Sequence, residues 1–546
     1  MHAVDPPDAP PNPRDDLAAT LIGNTRVLRE SDSVVHAGLS VAALCGIFLF
    51  MGFWIREIWP ERTTWLTPAV GLLLFALITV WLAQWFAVRR MVRPVTLPVP
   101  DGLRVAAVTT FVESHESLPM LERTLSAMCA MRGPHDVWLL AEQDVEAVRT
   151  LCRRLGVQHF SREAMPRYQA ARGTFRSASK HGNYNAWLTE IGYADYDVLA
   201  MFDPDHVPEP SYLERTLGYL TASDVGFVQP PQFYYNQPAS FVARAAAEES
   251  YGYYSTQLMA SYSLGHAVVI GSHGVHRLQA LREVGGLPAH DAEDLYLTIL
   301  YRAAGWLGVY VPDVLAMGTT PIDWAGYLRQ QLRWSRSLID LKLRVLPRLS
   351  LQLPHSERLL NLLHGAYYLR ALCIPAFYLM LAVMLVRNVV PPFMHPRPIF
   401  AVGALFALLA VIDRFRQRYY LDPPREHGFH WRATLMQFVK WPVFVRATFQ
   451  ALRGLNVAYL LTPKGRASPR TRALAPVQLG VATCITAAAI FGTLRHGELQ
   501  LPIVIAAAVV VGISIAIAWS DSTRPADYTS DELYLARRRA MNFPER

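Results

Sequence analysis

Charge and cysteine are both scarce in this 546-residue sequence. Charged residues make up 18% of the chain and hydrophobic residues 52%, with a positive mean hydropathy. This composition is too apolar for an ordinary soluble enzyme and too charged for a bare channel, so we expect a protein that is part membrane and part globular. The five cysteines lack the spacing of a metal site or a disulfide framework: Cys45, Cys129, Cys152, Cys373 and Cys484. Their scatter predicts a globular part that faces a reducing compartment.

The sequence also lacks an excess of acidic residues, because its formal net charge is +8. The basic residues cluster beside hydrophobic runs, where contact with anionic lipid accounts for them. We therefore expect a lipid bilayer, and not nucleic acid, as a partner.

Two apolar runs near the N-terminus, 34–55 and 66–88, are each long enough to cross a bilayer and predict a transmembrane hairpin. Residues 1–33 are polar and Pro-rich, unlike the short basic start of a cleaved signal peptide, so the first run reads as an anchor. Arginines lie just before the first run and just after the second: Arg14, Arg26, Arg29, Arg89, Arg90 and Arg93. The positive-inside rule then places residues 1–33 and the chain after residue 88 in the cytoplasm.

Four further apolar runs follow late in the chain, at 366–386, 398–412, 477–494 and 501–519. The run at 398–412 is short, so its ends are poorly defined by sequence. An arginine-rich stretch, 413–472, contains an amphipathic piece at 436–452 that predicts a helix lying in the membrane interface, with an ordinary packing helix as the alternative. We therefore expect about six membrane spans and a location in a cell membrane, either an inner or a plasma membrane. An even number of spans places the basic tail on the cytoplasmic side; this tail is 520–546 and contains Arg537, Arg538 and Arg539.

Between the two groups of spans, residues 89–345 predict a cytoplasmic domain. Apolar runs alternate with amphipathic helical patterns, which is typical of a doubly wound α/β fold. The predicted strands are 104–111, 136–140, 157–160 and 197–202, and the predicted helices are 118–131, 145–155 and 295–304. In such folds ligands bind beyond the carboxyl ends of the strands.

Asp203 and Asp205 follow the last of these strands directly. Two carboxylates separated by one residue can turn to one side of a tight loop and offer oxygen ligands to Mg²⁺ or Mn²⁺. A metal held there can neutralise the charge of a departing diphosphate. On its own the Asp-x-Asp pattern is weak, because two acids also occur in solvated turns.

Two later segments add chemistry to this pair. Glu293 and Asp294 begin a helical pattern, where Asp294 is either a partner of the helix dipole or a general base for an acceptor hydroxyl. Gln330, Arg333 and Trp334 fall within little more than one helical turn. They read either as a membrane-proximal helix with an interfacial tryptophan or as a site where Trp334 stacks on a sugar and the other two hold a diphosphate.

In this order, the segments resemble the membrane-embedded, processive family 2 glycosyltransferases, which include cellulose, chitin and hyaluronan synthases. That family shows D, DxD, ED and Q(Q/R)xRW motifs. The last three match here at Asp203-Pro204-Asp205-His206-Val207-Pro208, Glu293-Asp294 and Gln330-Gln331-Leu332-Arg333-Trp334. Lys180-His181-Gly182-Asn183-Tyr184-Asn185 is similar to the family's KAGNxN segment, and Tyr459-Leu460-Leu461-Thr462-Pro463-Lys464-Gly465 to its FxVTxKG gating loop.

The resemblance covers about 34–519. It implies a GT-A-type α/β domain, with a mixed and mostly parallel sheet, inserted between transmembrane helices at 34–88 and 346–519, the latter with interface helices. It also implies individual roles. Asp205 would bind Mg²⁺ or Mn²⁺, Asp203 beside it would contact the ribose or the metal, and Asp294 would be the base. Lys180, Gln330, Arg333, Thr462 and Lys464 would contact the nucleotide and its diphosphate. The acceptor would meet Trp334, Glu293 and the segment Gly271, Ser272 and His273.

Two departures concern the nucleotide. Where the family has its first aspartate, this chain has Glu142, which keeps a carboxylate but is longer by one methylene. Of the family's P-[ST]-Y-N-E segment only Glu116 is retained. We still predict that Glu116 and Glu142 lie at the nucleotide.

The resulting prediction is an inverting β-glycosyltransferase that polymerises and exports a polysaccharide from a nucleotide sugar, with UDP-glucose favoured over UDP-N-acetylglucosamine. Its partners would be the nucleotide sugar, the growing polysaccharide, the bilayer and accessory export or envelope proteins. One alternative is transfer of a single sugar to a lipid or short glycan. Another is an inactive export scaffold, against which the intact Asp203, Asp205, Asp294 and Arg333 argue.

Overall fold

The computed structural model describes residues 22–58, 66–114, 116–365, 368, 373–455, 474–520 and 530–540. The strands in these ranges are β1 Asn24–Arg26, β2 Val92–Pro94, β3 Val105–Phe111, β4 Asp136–Ala141, β5 Gln158–Ser161, β6 Val198–Phe202, β7 Val207–Pro208, β8 Val225–Gln229, β9 Gly274–Arg277, β10 Leu307–Tyr310 and β11 Ala316–Met317.

The helices of eight or more residues are α1 Glu30–Phe53, α2 Leu66–Ala87, α3 Leu118–Cys129, α4 Glu146–Leu155, α5 Lys180–Trp187, α6 Phe241–Gly252, α7 Glu293–Ala303, α8 Trp324–Asp340, α9 His355–Leu363, α10 Cys373–Arg387, α11 Pro396–Arg416, α12 Trp431–Leu452, α13 Ala475–His496, α14 Leu501–Ser520 and α15 Ser530–Ala540. Shorter helical segments include Tyr212–Thr216, Leu258–Tyr262, Leu278–Glu283 and Pro423–Glu426.

The core is a seven-stranded sheet with the order β10-β8-β9-β6-β3-β4-β5. Strand β9 runs antiparallel to β6 and β8, and the other neighbours are parallel. Strands β3 and β6 in the middle of the sheet are almost wholly buried apolar runs, as expected for parallel strands covered on both faces. The mixed, mostly parallel sheet confirms the predicted α/β fold class.

The predicted strands and helices of the first half of this domain agree with the structure to within two residues at each end. The antiparallel strand β9 had no counterpart in the sequence analysis. It is only four residues long, too short to show the alternation that would reveal a strand. Its insertion next to β6 places the segment before it, with Gly271, beside the carboxyl end of β6.

Five helices are long and apolar enough to cross a membrane, within the part of the chain that the structure describes: Glu30–Ile58, Leu66–Arg90, Pro396–Tyr419, Ala475–His496 and Leu501–Ser520. They leave large apolar side chains exposed, among them Phe48, Leu72 and Val411. Contiguous apolar surface of this kind is stable in contact with lipid. Helices apolar enough to cross a membrane therefore flank the seven-stranded sheet domain on both sides in the sequence.

Two of the predicted spans differ in detail. The run predicted as short, 398–412, lies in the 21-residue helix α11, because Pro396 can occupy a first helical turn and the helix continues through Arg416. The run at 366–386 contributes α10, a shorter apolar helix of 15 residues, and part of that run lies outside the described residues. The piece at 436–452 is helical as predicted, within the longer α12.

A second, two-stranded sheet lies beside the end of β6. Strands β7 and β11 pair antiparallel, with Val207 opposite Met317 and Pro208 opposite Ala316. Strand β7 begins two residues after Asp205, so this small ladder fixes where the aspartate loop ends.

The edge strand β10 depends on one glycine. A Cβ atom at Gly308 would overlap the ring of Phe227, which is fully buried on β8. We expect Gly308→Ala to force the ring aside and to destabilise the domain by about 1–3 kcal/mol, which is typical of overpacking. Thermal unfolding of the detergent-purified protein measures this. Gly403→Ala on α11, where a Cβ would meet nothing within 4 Å, is the matched control and should not lower the melting temperature.

Candidate functional site

The aspartate loop leaves the carboxyl end of β6, where the strand's buried apolar run ends. Asp203 Oδ1 lies 2.6 Å from Lys180 Nζ, and the backbone N–H of Asp203 donates to Ser272 Oγ at 3.1 Å. Asp205 is 2% exposed, and its Oδ2 accepts a 2.5 Å hydrogen bond from the hydroxyl of Thr319. Both carboxylates are therefore held at fixed positions before any ligand arrives.

His206 completes a group that can hold a divalent cation. One ligand atom from each of Asp203, Asp205 and His206 lies within 4.8 Å of the others. His206 Nδ1 is 3.2 Å from Asp205 Oδ1, and among the described residues its buried Nε2 atom has no hydrogen-bond partner. Two carboxylates and an imidazole are a donor set that suits Mn²⁺ or Mg²⁺. The sequence analysis gave no role to His206, although its place directly after Asp205 was the available signal.

Lys180 is brought to the loop by the start of helix α5. Ser179 caps that helix by accepting from the N–H of Gly182. The Lys180 ammonium also donates to the carbonyl of Gly271. Burial opposes its positive charge, but Asp203 and Glu293 together raise the pKa of Lys180 above its ordinary value. The lysine therefore stays charged and joins the aspartate loop to two other segments of the site.

The segment Gly271, Ser272 and His273 lies behind the site. Ser272 and His273 are 1% and 0% exposed, and His273 Nε2 donates to the carbonyl of Pro231 at 2.8 Å. Burial and the neighbouring His206, whose ring stacks at 5.1 Å, lower the pKa of His273 to about 3, so the imidazole is neutral. Of the three residues of this segment, all predicted to contact the acceptor, only Gly271 lines the cavity.

Glu293 and Asp294 form the first turn of helix α7. Asp294 Oδ1 accepts a 2.8 Å hydrogen bond from the N–H of Leu295. Burial raises the pKa of Asp294, while Lys180 and Arg333 oppose the rise. Burial and the adjacent Asp294 raise the pKa of Glu293 as well. A carboxylate with a raised pKa is a stronger base, so the geometry supplies a candidate proton acceptor.

Helix α8 carries Gln330, Arg333 and Trp334 on the opposite wall. Asp323 caps it by accepting from the N–H of Gly326 at 2.7 Å. Two residues after Trp334, Arg336 forms an ion pair with Asp291, which lies two residues before Glu293. This pair, which the sequence analysis missed, ties the Gln-Arg-Trp helix to the start of α7.

Most of these groups line one continuous cavity of about 1570 Å³. It brings together the predicted residues Glu116, Glu142, Lys180, Asp203, Asp205, Gly271, Glu293, Asp294, Gln330, Arg333 and Trp334. Thr462 and Lys464 of the gating-like segment lie outside the described residues, so their predicted roles stay predictions.

The two glutamates predicted at the nucleotide each have protein partners. Glu142 accepts from the buried Arg162 at 3.1 and 3.2 Å and from the N–H of Ala178 at 2.8 Å. Glu116 Oε2 accepts from the N–H of Val112 at 2.7 Å. Both shape loops at the cavity rim, and their contact with a nucleotide remains a prediction.

The cavity extends past Trp334 to the membrane side. Glu249 on α6 accepts from the hydroxyl of Tyr327 at 2.5 Å and from Gln437 at 3.2 Å, and it pairs with Lys440, which is 2% exposed on α12. Gln84 on the apolar helix α2 also lines it. A polar wall thus continues from the acid pair to the helices that meet the bilayer. Sequence reasoning missed Glu249 and Lys440, which are 191 residues apart.

A mostly parallel sheet with an aspartate pair beyond its central strand, facing a buried acid pair and a Gln-Arg-Trp helix, defines the class as a GT-A-type glycosyltransferase domain. Residues 105–337 match the family model described as "Glycosyltransferase like family 2". The chain therefore carries a family 2 glycosyltransferase domain, which confirms the resemblance seen in its motifs.

Curated relatives agree at modest identity. A UDP-forming cellulose synthase catalytic subunit of Dictyostelium discoideum is 32% identical over 170 residues, 30% of this chain and 16% of the relative. The corresponding catalytic subunit of Pseudomonas fluorescens (strain SBW25) is 26% identical over 313 residues, 53% of this chain and 40% of the relative. Glucomannan 4-beta-mannosyltransferase 1 of Oryza sativa subsp. japonica is 28% identical over 260 residues, 44% of this chain and 48% of the relative. The chain thus spans about half or less of the length of these relatives.

Among solved structures, the mannosyltransferase PcManGT from Pyrobaculum calidifontis in complex with GDP-Man and Mn²⁺ superposes with a TM-score of 0.43 at 15% sequence identity. The match covers 78% of this chain and 99% of that one.

Gly271 permits the approach of two segments. Its φ of +81° is strained for other residues, and a Cβ there would lie 3.0 Å from Asp294 Oδ2. We expect Gly271→Ala to displace the Asp294 carboxylate and to lower activity by about 100-fold, as a misplacement near 1 Å can do. Gly265→Ala is the matched control, because Gly265 also has a positive φ but a Cβ there would meet nothing within 4 Å. Rates of nucleoside diphosphate release measure both variants, and equal losses would contradict the steric account.

Proposed function

We propose that this chain is a membrane-integrated, inverting β-glycosyltransferase that transfers a hexose from a nucleotide sugar to a growing saccharide and moves the product toward the bilayer. The observation that supports this most directly is the single cavity shared by Asp203, Asp205, Asp294 and Trp334. It leads from the strand ends of the sheet to the membrane-side helices.

In this proposal Asp294 accepts the proton of the acceptor hydroxyl. The acceptor oxygen attacks C1 of the donor sugar, the bond from C1 to the diphosphate breaks, and the nucleoside diphosphate leaves. Trp334 supplies a flat face for a sugar ring, and the guanidinium of Arg333 with the amide of Gln330 binds diphosphate oxygens. Inversion is inferred from the family resemblance.

Asp203, Asp205 and His206 would hold a divalent cation, Mg²⁺ or Mn²⁺. When bound, such an ion neutralises charge on the diphosphate leaving group. The chain's own contribution is to fix the carboxylates: Thr319 orients Asp205, and Lys180 orients Asp203.

The size of the cavity favours a long acceptor. Pockets for one small ligand usually enclose about 300–1,000 Å³, whereas this one holds about 1570 Å³ and continues along Glu249 and Gln437. Carboxylates, amides and tyrosines are suited to sugar hydroxyls. This favours polymerisation over transfer of a single sugar.

UDP-glucose is the donor we propose first, which fits the UDP-forming cellulose synthases among the relatives. A mannose donor is the second candidate, because a glucomannan mannosyltransferase is similar over 44% of the chain. UDP-N-acetylglucosamine is the third candidate donor. We also propose that the protein lies in a cell membrane with its catalytic domain on the cytoplasmic side, because arginines flank the first two apolar runs.

Replacing Asp294 with Asn tests the base. We expect Asp294→Asn to abolish sugar incorporation, because the amide cannot accept the proton, while insertion into the membrane is unchanged. The assay incubates purified wild type and variant with radiolabelled UDP-glucose, UDP-N-acetylglucosamine and GDP-mannose, with Mn²⁺ or Mg²⁺. It measures nucleoside diphosphate and product length. Synthesis retained by the variant would contradict the assignment, and products longer by one sugar only would favour single transfer.

The raised pKa of Asp294 predicts a pH dependence. The base works only when ionised, and burial lifts its pKa above the ordinary value of 3.8. We therefore expect kcat/KM to fall about tenfold per pH unit on the acid side, starting above the pH at which an exposed aspartate protonates. Arg333→Gln should move this limb to higher pH, because Arg333 stabilises the carboxylate. Arg333→Lys keeps the charge and should leave the acid limb of the kcat/KM profile nearly in place. An acid limb at the same pH in the wild type, Arg333→Gln and Arg333→Lys would contradict this prediction.

A further inference from the structure

The C-terminal helix α15 packs on the catalytic domain. Tyr534 is 4% exposed, and its ring lies 5.4 Å from the ring of Tyr235 at an angle of 80°. The guanidinium of Arg123 lies 5.8 Å from the Tyr534 ring and donates to the hydroxyl of Tyr235 at 2.8 Å. Leu533, one residue earlier, lines the catalytic cavity itself.

Two of the tail's arginines are buried in ion pairs. Arg537 Nη2 lies 2.8 Å from Asp422 Oδ2, and its guanidinium lies 4.8 Å from the ring of Phe233. Arg538 Nη2 lies 3.5 Å from Glu209 Oε2, and these two side chains are 7% and 2% exposed. The sequence analysis used these arginines only as markers of a basic cytoplasmic tail. In the structure, they attach the tail to the loop that follows Asp205 and to the segment after α11.

Tyr534 packs against the small ladder that ends the aspartate loop. It belongs to one hydrophobic cluster with Val207 of β7 and Met317 of β11, which face each other across that ladder. Two strands of two residues each are too short to be stable alone. The ladder therefore needs the packing that Tyr534 and its neighbours supply.

A second route connects the helix to Asp205 through the loop that holds Tyr235 and Asn236. Asn236 exchanges two hydrogen bonds with the backbone of Thr320, at 2.7 and 2.9 Å. The preceding residue, Thr319, donates the 2.5 Å hydrogen bond to Asp205 Oδ2. Movement of the Tyr235 loop would thus be transmitted to the carboxylate.

We propose that helix α15 is a positioning element of the active site: it holds the aspartate loop and the Tyr235 loop in the geometry that binds the cation and the nucleotide. This inference rests on the proposed function for its catalytic consequence, since Asp205 matters there as a metal ligand. The residues that carry it are Tyr534, Arg537 and Arg538.

The test uses the full-length protein in detergent and two readouts that do not require turnover. Mn²⁺ affinity in the presence of UDP is measured by electron paramagnetic resonance, and hydrogen exchange is followed at 203–209 and 316–320. We expect Tyr534→Ala to weaken Mn²⁺ binding by about tenfold, as loss of an outer support of a metal ligand commonly does, and to speed exchange in both segments. Tyr534→Phe keeps the ring and should restore both.

Arg539→Gln is the matched control for Arg537→Gln. Arg539 is exposed on the same helix, so its replacement removes the same charge from a position that is not buried. If Tyr534→Ala fails to fold, Arg537→Gln is the variant that tests the inference. We expect it also to weaken Mn²⁺ binding and to speed hydrogen exchange, by smaller amounts. Unchanged Mn²⁺ affinity and exchange in Tyr534→Ala and Arg537→Gln would overturn the inference, as would a wild type that binds no Mn²⁺.

The outcomes separate this inference from the proposed function. A wild type that transfers no sugar from any donor, but whose Mn²⁺ affinity still depends on Tyr534, would refute the function and keep the positioning role. If the wild type transfers sugar normally and both variants keep its Mn²⁺ affinity and hydrogen exchange, the proposed function stands and the positioning role is refuted.

Discussion

The half-buried ammonium of Lys180 is the interaction on which the rest of the site depends. It contacts Asp203 and the carbonyl of Gly271, and its charge also stabilises Glu293 and Asp294. Without a cation among them, three carboxylates from two chain segments would repel one another in a poorly solvated space. Lys180 is therefore as much a structural requirement for collecting the acids as it is a candidate ligand of the nucleotide.

The sequence was sufficient to predict the elements that repeat a simple pattern. Strand β6 is a continuous apolar run and β3 is mostly apolar, and the acids that follow β6 lie where strand ends collect ligands in an α/β sheet. It was not sufficient for contacts between distant segments. Neither Arg336 with Asp291 nor Lys440 with Glu249 has a local signal, because each charge alone reads as a solvated surface group. Only the fold shows that these charges are paired and buried.

Helix α8 runs between the acid pair and the part of the cavity that α6 and α12 line. Its cavity face presents Arg333 and Trp334 to the acid pair, and its ion pair through Arg336 fixes its distance from α7. Along the same helix Tyr327 bonds to Glu249, which is held from the membrane side by Lys440 on α12. Contacts at both walls hold the helix in place, so Arg333 and Trp334 keep a fixed position relative to Glu293 and Asp294.

A buried ion pair at this junction has a consequence for the acceptor path. Glu249 and Lys440 satisfy each other, so the wall is polar but carries little net charge where it borders the cavity. Such a wall offers hydrogen bonds to neutral hydroxyls without trapping a charged group, so under the proposed function a neutral saccharide chain would slide along it at low cost. The cluster Asp203, Asp205 and His206 has the opposite character, since its carboxylate and imidazole donors favour a cation and the diphosphate that the cation binds. Under the proposed function, the cavity thus changes from a cation and diphosphate site at the strand ends to a neutral polar passage toward the apolar helices, through which the saccharide would leave.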